Sequence, residues 1–450
     1  MTPPVSARAA ALEAIRRAQG GDVFLRDTLH AVFRETSLDA RDRALATQLA
    51  AGVIRHRRTL RLVISHARGA AGRATSIQPH ILDVLELGAL QLLFLDRVPA
   101  YAAVSEAVDM ARSASRGHAA RKAAGFVNGV LRGIGRLVRG HDPQAALARD
   151  ALPHPDGGAV RLTEPILPDP ADGLPAFLGA AYSLPDWLVA SWLEAHGDAA
   201  EAICRWSNRR PRTFARVHAG QADRAADLPP GPLPGTVDAS HLEPETLERL
   251  IADGVLTVQD PSAMAAVDAL APRAGESVLD LCASPGTKTM QIAEATGAGG
   301  RVVACDRSDE KLDPLRRAVA AQHVAGATVC LASDAAAAAP PGGFDAALVD
   351  APCSNTGVLA RRVEARWRLK PGDSDELAAV QRGLVAQAAE LVRPGGRLVY
   401  STCSLQPREN GGVVDAFIAE HAGWRLEKSA LALPGPDHDG AFWALLVRQS

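Results

Sequence analysis

Residues 278–289, VLDLCASPGTKT, decide the fold. The branched and apolar run Val278, Leu279 and Leu281 reads as a buried strand. It breaks at Ser284-Pro285-Gly286, and Thr289 to Ala295 suits the opening of a helix. Strand, tight glycine turn and helix form the first unit of a nucleotide-binding α/β domain. The helix N-terminus leaves backbone N–H groups without partners, and glycine lets a ligand approach them. The turn is not G-x-G-x-x-G, so a dinucleotide pyrophosphate is a poor match. Nor is it a phosphate-binding P-loop, because Leu281 stands where the first glycine of G-x-x-x-x-G-K-[ST] is required.

Downstream, strands and helices alternate. Strands are expected at 277–281, 301–305, 327–331, 344–349 and 397–400, with a final pair near 424–427 and 442–447. Helical segments between the first five demand a mostly parallel sheet covered on both faces. In such sheets ligands sit beyond the carboxyl ends of the strands. Those ends read Cys282-Ala283-Ser284-Pro285-Gly286, Asp306, Ser333-Asp334, Asp350-Ala351-Pro352-Cys353 and Ser401-Thr402-Cys403. Asp306 lies at the offset from the turn glycine where an acid accepts hydrogen bonds from ribose hydroxyls. Three acids and two cysteines at five successive strand ends are hard to assign to chance.

Upstream, residues 6–140 read as helices throughout. Leu25, Leu29, Val32 and Phe33 share a face, as do Ile81, Val84, Leu85 and Gly88, and Val127, Val130, Leu131 and Ile134. Ser37-Leu38-Asp39 before Ala40 offers a capping signal for a long helix, and short breaks lie at Gly20-Gly21 and Arg97-Val98-Pro99. Residues 141–175, rich in Pro, Gly and Asp, are expected to be a linker with little structure of its own. A small α+β segment follows over 176–260, with a helix through Trp192 and a strand at 213–217. The α/β domain occupies 261–450.

With 450 residues the chain can bury at least two cores, and 47% hydrophobic against 22% charged residues is the balance of a globular protein. No run of about 18 apolar residues spans a bilayer, and the start MTPPVSARAA lacks a signal-peptide core, so a cytoplasmic location is expected. The six cysteines have no metal-ligand spacing; neither a metal nor disulfides are expected. The net charge of −2 hides an asymmetry: residues 1–140 hold 21 Lys+Arg and 11 Asp+Glu, the remainder 28 and 40. A basic domain joined to an acidic one suggests a polyanionic partner, with a solvated Arg-rich helical surface as the equal alternative. Candidate contacts are Arg55, Arg57 and Arg58, and Arg209, Arg210 and Arg212. Part of the first group also suits the helix dipole.

Free cysteines are mostly small buried hydrophobes. That suits Cys204, Cys305 and Cys330, and a packing role suits Cys282. Cys353 and Cys403 differ, because each follows a strand and sits among small polar residues, where a thiolate with a lowered pKa can act as a nucleophile. Asp350 lies two residues before Cys353.

DAPCSNTGVLARR (350–362), YSTCSLQPREN (400–410) and LDLCASPGTKT together resemble the RNA (cytosine-5)-methyltransferases that use S-adenosylmethionine. ARDRALATQLAAGVIRHRR (40–58) and FVNGVLRGIGR (126–136) resemble the NusB-like RNA-binding domain fused ahead of that domain in bacterial 16S rRNA (cytosine-5)-methyltransferases of the RsmB type. The resemblance covers nearly the whole chain except 141–175. It implies an all-α NusB-like bundle, a small α+β segment and a Rossmann-like catalytic domain. It also implies Cys403 as nucleophile at C6 of cytosine, Cys353 in product release, and Asp350 on N3 and the exocyclic amine. In DNA cytosine methyltransferases the Pro-Cys residue is the nucleophile instead, but both motifs here have the RNA-enzyme form. The cofactor would contact Cys282, Ala283, Ser284, Pro285, Gly286, Thr287 and Lys288, with Asp306 on the ribose, Asp334 near the adenine and Asp350 beside the methyl group. Lys288 would approach the cytosine or order the loop. The family pattern is broken at Thr287, usually glycine, and at VEARW (363–367), usually His-Pro before an acid and Trp. The implied protein is a monomer acting on 16S rRNA. Other readings are a cytosine-5 methyltransferase for tRNA or another RNA site, or a non-catalytic NusB-like RNA-binding or antitermination protein.

Overall fold

The computed structural model describes residues 6–19, 23–69, 76–96, 98–114, 117–321 and 326–450. Gly20, Gly21 and Arg97, expected as breaks, lie outside these. The chain divides into two compact units, residues 1–210 with 359–368, and residues 211–358 with 369–450.

Among the described residues the first unit opens with the helices α1 (Ala7–Gln19), α2 (Leu25–Arg34), α3 (Ala40–Ala67), α4 (Pro79–Phe94), α5 (Ala100–Ser113) and α6 (Gly117–Leu137). Of the capping signal at 37–39, Asp39 is the residue that caps α3, its carboxylate accepting the Asp42 N–H at 2.7 Å. The apolar stripes read from the sequence are buried: Leu25, Leu29 and Val32; Ile81, Val84 and Leu85; Val127, Val130, Leu131 and Ile134. Gly88 has a packing reason, since a Cβ there would come 2.7 Å from Leu131. Helices α4 and α6 therefore meet closely at that point.

Residues 141–175 depart from the expected linker. Strands β1 (Val138–Asp142), β2 (Ala151–Pro153) and β3 (Ala159–Leu162) form an antiparallel sheet in the order β1-β3-β2. The Pro/Gly/Asp content is turn chemistry. Gly157 and Gly158, both at positive φ, close the β2–β3 hairpin, with the His154 N–H donating to the Gly158 carbonyl at 3.0 Å. Ala151, Leu152, Ala159, Val160 and Leu162 are buried. Helices α7 (Leu174–Ala181), α8 (Asp186–His196) and α9 (Ala199–Asn208) complete this part of the unit.

The second unit begins with a three-stranded antiparallel sheet of β4 (Phe214–Val217), β5 (Thr236–Asp238) and β6 (Leu256–Val258), order β5-β4-β6, flanked by α10 (Pro244–Ala252). The α/β domain follows with α11 (Pro261–Leu270), β7 (Ser277–Asp280), α12 (Thr287–Thr296), β8 (Arg301–Asp306), α13 (Asp309–Ala321), β9 (Ala327–Leu331) and β10 (Phe344–Asp350). After the short α14 (Ala365–Arg368), which belongs to the first unit, come α15 (Asp373–Leu391), β11 (Val392–Thr402), α16 (Gly411–Glu420), β12 (Trp424–Ala432) and β13 (Ala441–Arg448).

The seven strands run in the order β12-β13-β11-β10-β7-β8-β9. The five on the β9 side are mutually parallel, and β13 pairs antiparallel with β11 and β12. Strand alternation splits the core. Ala347 and Val349 of β10 pack with Val385 and Phe417 of α15 and α16 on one face. Ala346 and Leu348 pack with Val267 and Ile292 of α11 and α12 on the other. The chain runs outward from β7 through β8 to β9, then returns to place β10 on the other side of β7. That reversal is a topological switch point, where open α/β sheets hold their ligands.

Candidate active site

The turn after β7 is pinned to its neighbours by backbone bonds: Leu281 N–H to the Leu348 carbonyl at 3.0 Å and Ala283 N–H to the Cys305 carbonyl at 2.8 Å. The Ser284–Pro285 peptide is cis. Gly286, at φ +112°, caps α12, and a Cβ there would come 2.8 Å from Leu315 Cδ1. Glycine is required here both by the backbone conformation and by the packing of α13. Thr287 is already the first helical residue with ordinary φ, so the side chain in place of the family's glycine costs no backbone strain. Asp306, at the end of β8, is buried and accepts the Ser284 N–H at 3.2 Å, which ties the second strand end to the turn. Asp334 lies exposed in a short turn after β9, its carboxylate receiving the Ser333 hydroxyl at 3.3 Å.

The β10 and β11 ends form the other half. Asp350 is held at both oxygens: Lys288 Nζ lies 2.6 Å from Oδ2, and the Ser401 hydroxyl donates to Oδ1 at 2.7 Å. Burial works to lower the Lys288 pKa, but Asp350 beside it prevails and holds the ammonium above its ordinary value. The sulfurs of Cys353 and Cys403 are 3.2 Å apart. Cys403 Sγ also lies 3.4 Å from Asn355 Oδ1, while the Asn355 amide donates to the Cys353 carbonyl at 2.8 Å. The hydrogen bond to Cys403, together with burial, pushes the Cys353 thiol far above its usual range. Cys353 thus stays a thiol. Cys282, in the turn, is pushed up by burial and stays a thiol. Cys305 and Cys330 pair at 3.3 Å between neighbouring strands.

Three contributors escaped the sequence reading. Glu409 is fully buried and accepts the Ser354 N–H at 2.9 Å, the Ser404 hydroxyl at 2.8 Å and the Gln381 amide at 3.0 Å. One carboxylate therefore anchors the residue after each cysteine. Asn410 acts beside it, accepting the Thr402 hydroxyl at 2.6 Å and donating to the Ser404 carbonyl at 2.9 Å. Both lie in the QPREN run, whose polar residues next to a cysteine loop were the available signal. Asp280 is the third. It is fully buried at the end of β7, bonded to the Thr289 hydroxyl at 2.7 Å, with Oδ1 unpartnered. Burial pushes its pKa up to about 7.

The arginines expected to meet RNA fare differently. Arg55 is buried and donates to the Ala360 carbonyl at 2.7 Å. Arg57 faces the buried Glu86 at 3.6 Å, and Arg58 bonds Asp186 and the Leu184 carbonyl. Arg209 lies against the Trp206 ring and donates to the Pro155 carbonyl. Arg212 pairs with Asp238 and Asp437. Arg210 is exposed. A run of charges in sequence does not reveal which members satisfy internal acceptors. Among the described residues, Asp96, His141 and His154 form one cluster with metal-ligand chemistry, but the two imidazole rings are stacked 3.9 Å apart and each bonds backbone.

Known proteins resemble this chain along most of its length. The 16S rRNA methyltransferase RsmB/F family matches residues 267–437, the NusB family residues 5–136, and the ferredoxin-like domain of RsmF/B-like methyltransferases residues 184–228. The ribosomal RNA small subunit methyltransferase B of Vibrio cholerae is 31% identical over 91% of this chain and 90% of its own. The "Probable ribosomal RNA small subunit methyltransferase B" of Bacillus subtilis is 32% identical over 94% and 90%. The chain belongs to the RsmB/F family of 16S rRNA methyltransferases. Two crystal structures share the fold of this RsmB/F chain at 22% identity. PH0851 has a TM-score of 0.72 over 99% of both chains; a methyltransferase homologue from Pyrococcus horikoshii has 0.50 over 59% of this chain and 95% of that one. Among the described residues of this family member, no helix is long and apolar enough to cross a membrane.

Proposed function

We propose that the chain methylates C5 of a cytosine in 16S rRNA, with S-adenosylmethionine as donor and a covalent Cys403–C6 intermediate. The observation that carries this reading is the 3.2 Å approach of the Cys353 and Cys403 sulfurs, from the ends of adjacent parallel strands, beside Asp350. The residues of the β7 turn suit the donor: backbone N–H groups at the α12 N-terminus and an unpartnered buried carboxyl oxygen on Asp280. When bound, it supplies an electrophilic methyl group.

C5 of cytosine is too weak a nucleophile to take that methyl directly. The Cys403 thiolate adds to C6, forming an S–C6 bond and sending the ring electron pair to C5. Asp350, oriented by Lys288 and Ser401, meets N3 and the exocyclic amine and stabilises the charge that develops there. C5 would then take the methyl carbon as that carbon's bond to the donor's sulfonium sulfur breaks. Loss of the C5 proton to a base restores the C5–C6 double bond as the S–C6 bond breaks. Cys353, a thiol beside Cys403, assists this release. The target must be unpaired or flipped from its helix to reach the sulfurs.

The test uses purified enzyme, 16S rRNA and methyl-labelled donor. Cys403→Ala is expected to abolish methylation with donor affinity nearly unchanged, and Cys353→Ala to trap a denaturant-stable protein–RNA adduct. Trapping with the Cys403 variant instead reverses the roles. Bisulfite sequencing of RNA from cells lacking the gene decides the substrate: loss of a mark from tRNA rather than 16S rRNA overturns the assignment.

A further inference from the structure

Helices α5 and α6 enclose a groove of about 790 Å³, a volume in the range of sites that take small ligands. Its α6 wall is made by Arg121, Gly125, Asn128, Arg132 and Arg136, which recur every three or four positions and so share one face. Its floor is apolar, with Val104, Val108 and Leu131. Gly125 and Gly135 add no side chain to that wall, and a Cβ on either would meet nothing within 4 Å. At the rim stands Tyr101, 79% exposed.

The charge is one-sided. Among the described residues, no Asp or Glu lines the groove. Arg112 is paired with Asp109 on its own helix, but Arg121, Arg132 and Arg136 have no acidic partner among the described residues. Elsewhere in the same bundle Arg8, Arg16, Arg17, Arg57, Arg58 and Arg61 each face an acid. Arg121 and Arg136 are roughly 22 Å apart along the helix axis, a span of more than one nucleotide.

We propose that this groove binds a single-stranded segment of the RNA substrate. One unpaired base stacks on Tyr101 above the apolar floor, the Asn128 amide meets its edge, and backbone phosphates lie against Arg121, Arg132 and Arg136. An exposed aromatic and an apolar floor have no use against duplex RNA, whose bases are stacked inside, and an acidic peptide would leave the aromatic and the amide idle. The assignment rests on the reading of the substrate as RNA.

The experiment measures equilibrium binding of the full-length protein to a fluorescent single-stranded RNA oligonucleotide, to the same strand annealed into a duplex, and to polyglutamate. Tyr101→Ala is expected to weaken single-strand binding about 10-fold. Replacing Arg121, Arg132 and Arg136 together by Gln is expected to reduce the salt slope by about 2. Gly125→Leu fills the groove at an exposed helical position that favours Leu, so it should weaken binding while the melting temperature holds. Wild-type affinity in all three variants overturns the proposal, as does duplex or polyglutamate binding as tight as single-strand binding. The covalent trapping by Cys353→Ala separates the two readings. Trapping with unaffected groove variants sinks the groove alone; weakened groove variants without trapping sink the catalytic reading alone.

Discussion

Glu409 touches no reacting atom in the proposed chemistry, yet both cysteine loops hang from it. Its charge-assisted bonds to the Ser354 N–H and the Ser404 hydroxyl fix the residues next to Cys353 and Cys403. Glu409→Gln places an amide N–H against one of these donors. We expect about 1–3 kcal/mol of lost stability in chemical denaturation, a reduced methylation rate, and unchanged donor affinity by calorimetry. Asp280 sets a pH dependence. Its unfolded carboxyl ionises near the ordinary 3.8, while the folded one keeps its proton up to about 7. Between these values the native state binds more protons than the unfolded one, so this residue's contribution to stability falls as pH rises and is flat above 7. Asp280→Asn should remove that decline, gaining on the wild type by at most about 4 kcal/mol across the window; denaturation midpoints at pH 4.5 and pH 7 measure it. At this scale the two cysteines and Asp350 were legible because strand ends converge in a parallel sheet. Arg55 was not, because burial of a guanidinium against a distant carbonyl leaves no local mark.

Elements read from periodicity are present, with ends moved by pairing. Strand β11 runs from Val392, well before the expected 397, because Phe344 of β10 pairs with it there through an irregular register. The misread element was the β1–β3 sheet, where three short strands separated by Pro and Gly look like a chain without structure. Its tight turn is the weak point. Gly158 has φ +65°, and a Cβ there would run into the Asp142 carbonyl and Pro143. Gly158→Ala is expected to cost about 1–3 kcal/mol, read as a lower denaturant midpoint with the methylation chemistry intact.

At the scale of the whole molecule, a segment from the second half of the chain completes the first unit. Arg366 is fully buried and donates to Asn208 Oδ1 at 2.6 Å and to the carbonyls of Ser207, Leu359 and Arg55 at 2.7, 3.0 and 3.1 Å. Trp367 Nε1 donates to the Ile54 carbonyl at 2.8 Å, and Glu364 accepts the Leu25 N–H at 3.0 Å. The departure from the family pattern at 363–367 is therefore a packing segment of the N-terminal unit. Arg366→Ala strands several buried acceptors at roughly 1–3 kcal/mol each, so residues 1–210 expressed alone should melt below the same residues within the full chain. Hydrogen exchange of the α3 amides checks this.

The order of strands and helices, the glycine turn and the pair of cysteines after β10 and β11 were set by local pattern: periodicity, turn chemistry and short motifs need only neighbours in sequence. Tertiary structure alone decided which arginines face water, that 359–368 joins the helical unit, and that Glu409 and Asp280 support the site. Those outcomes depend on burial and on hydrogen-bond partners that for Arg55, Arg366 and Glu409 include residues tens to hundreds of positions away, and no local propensity encodes them.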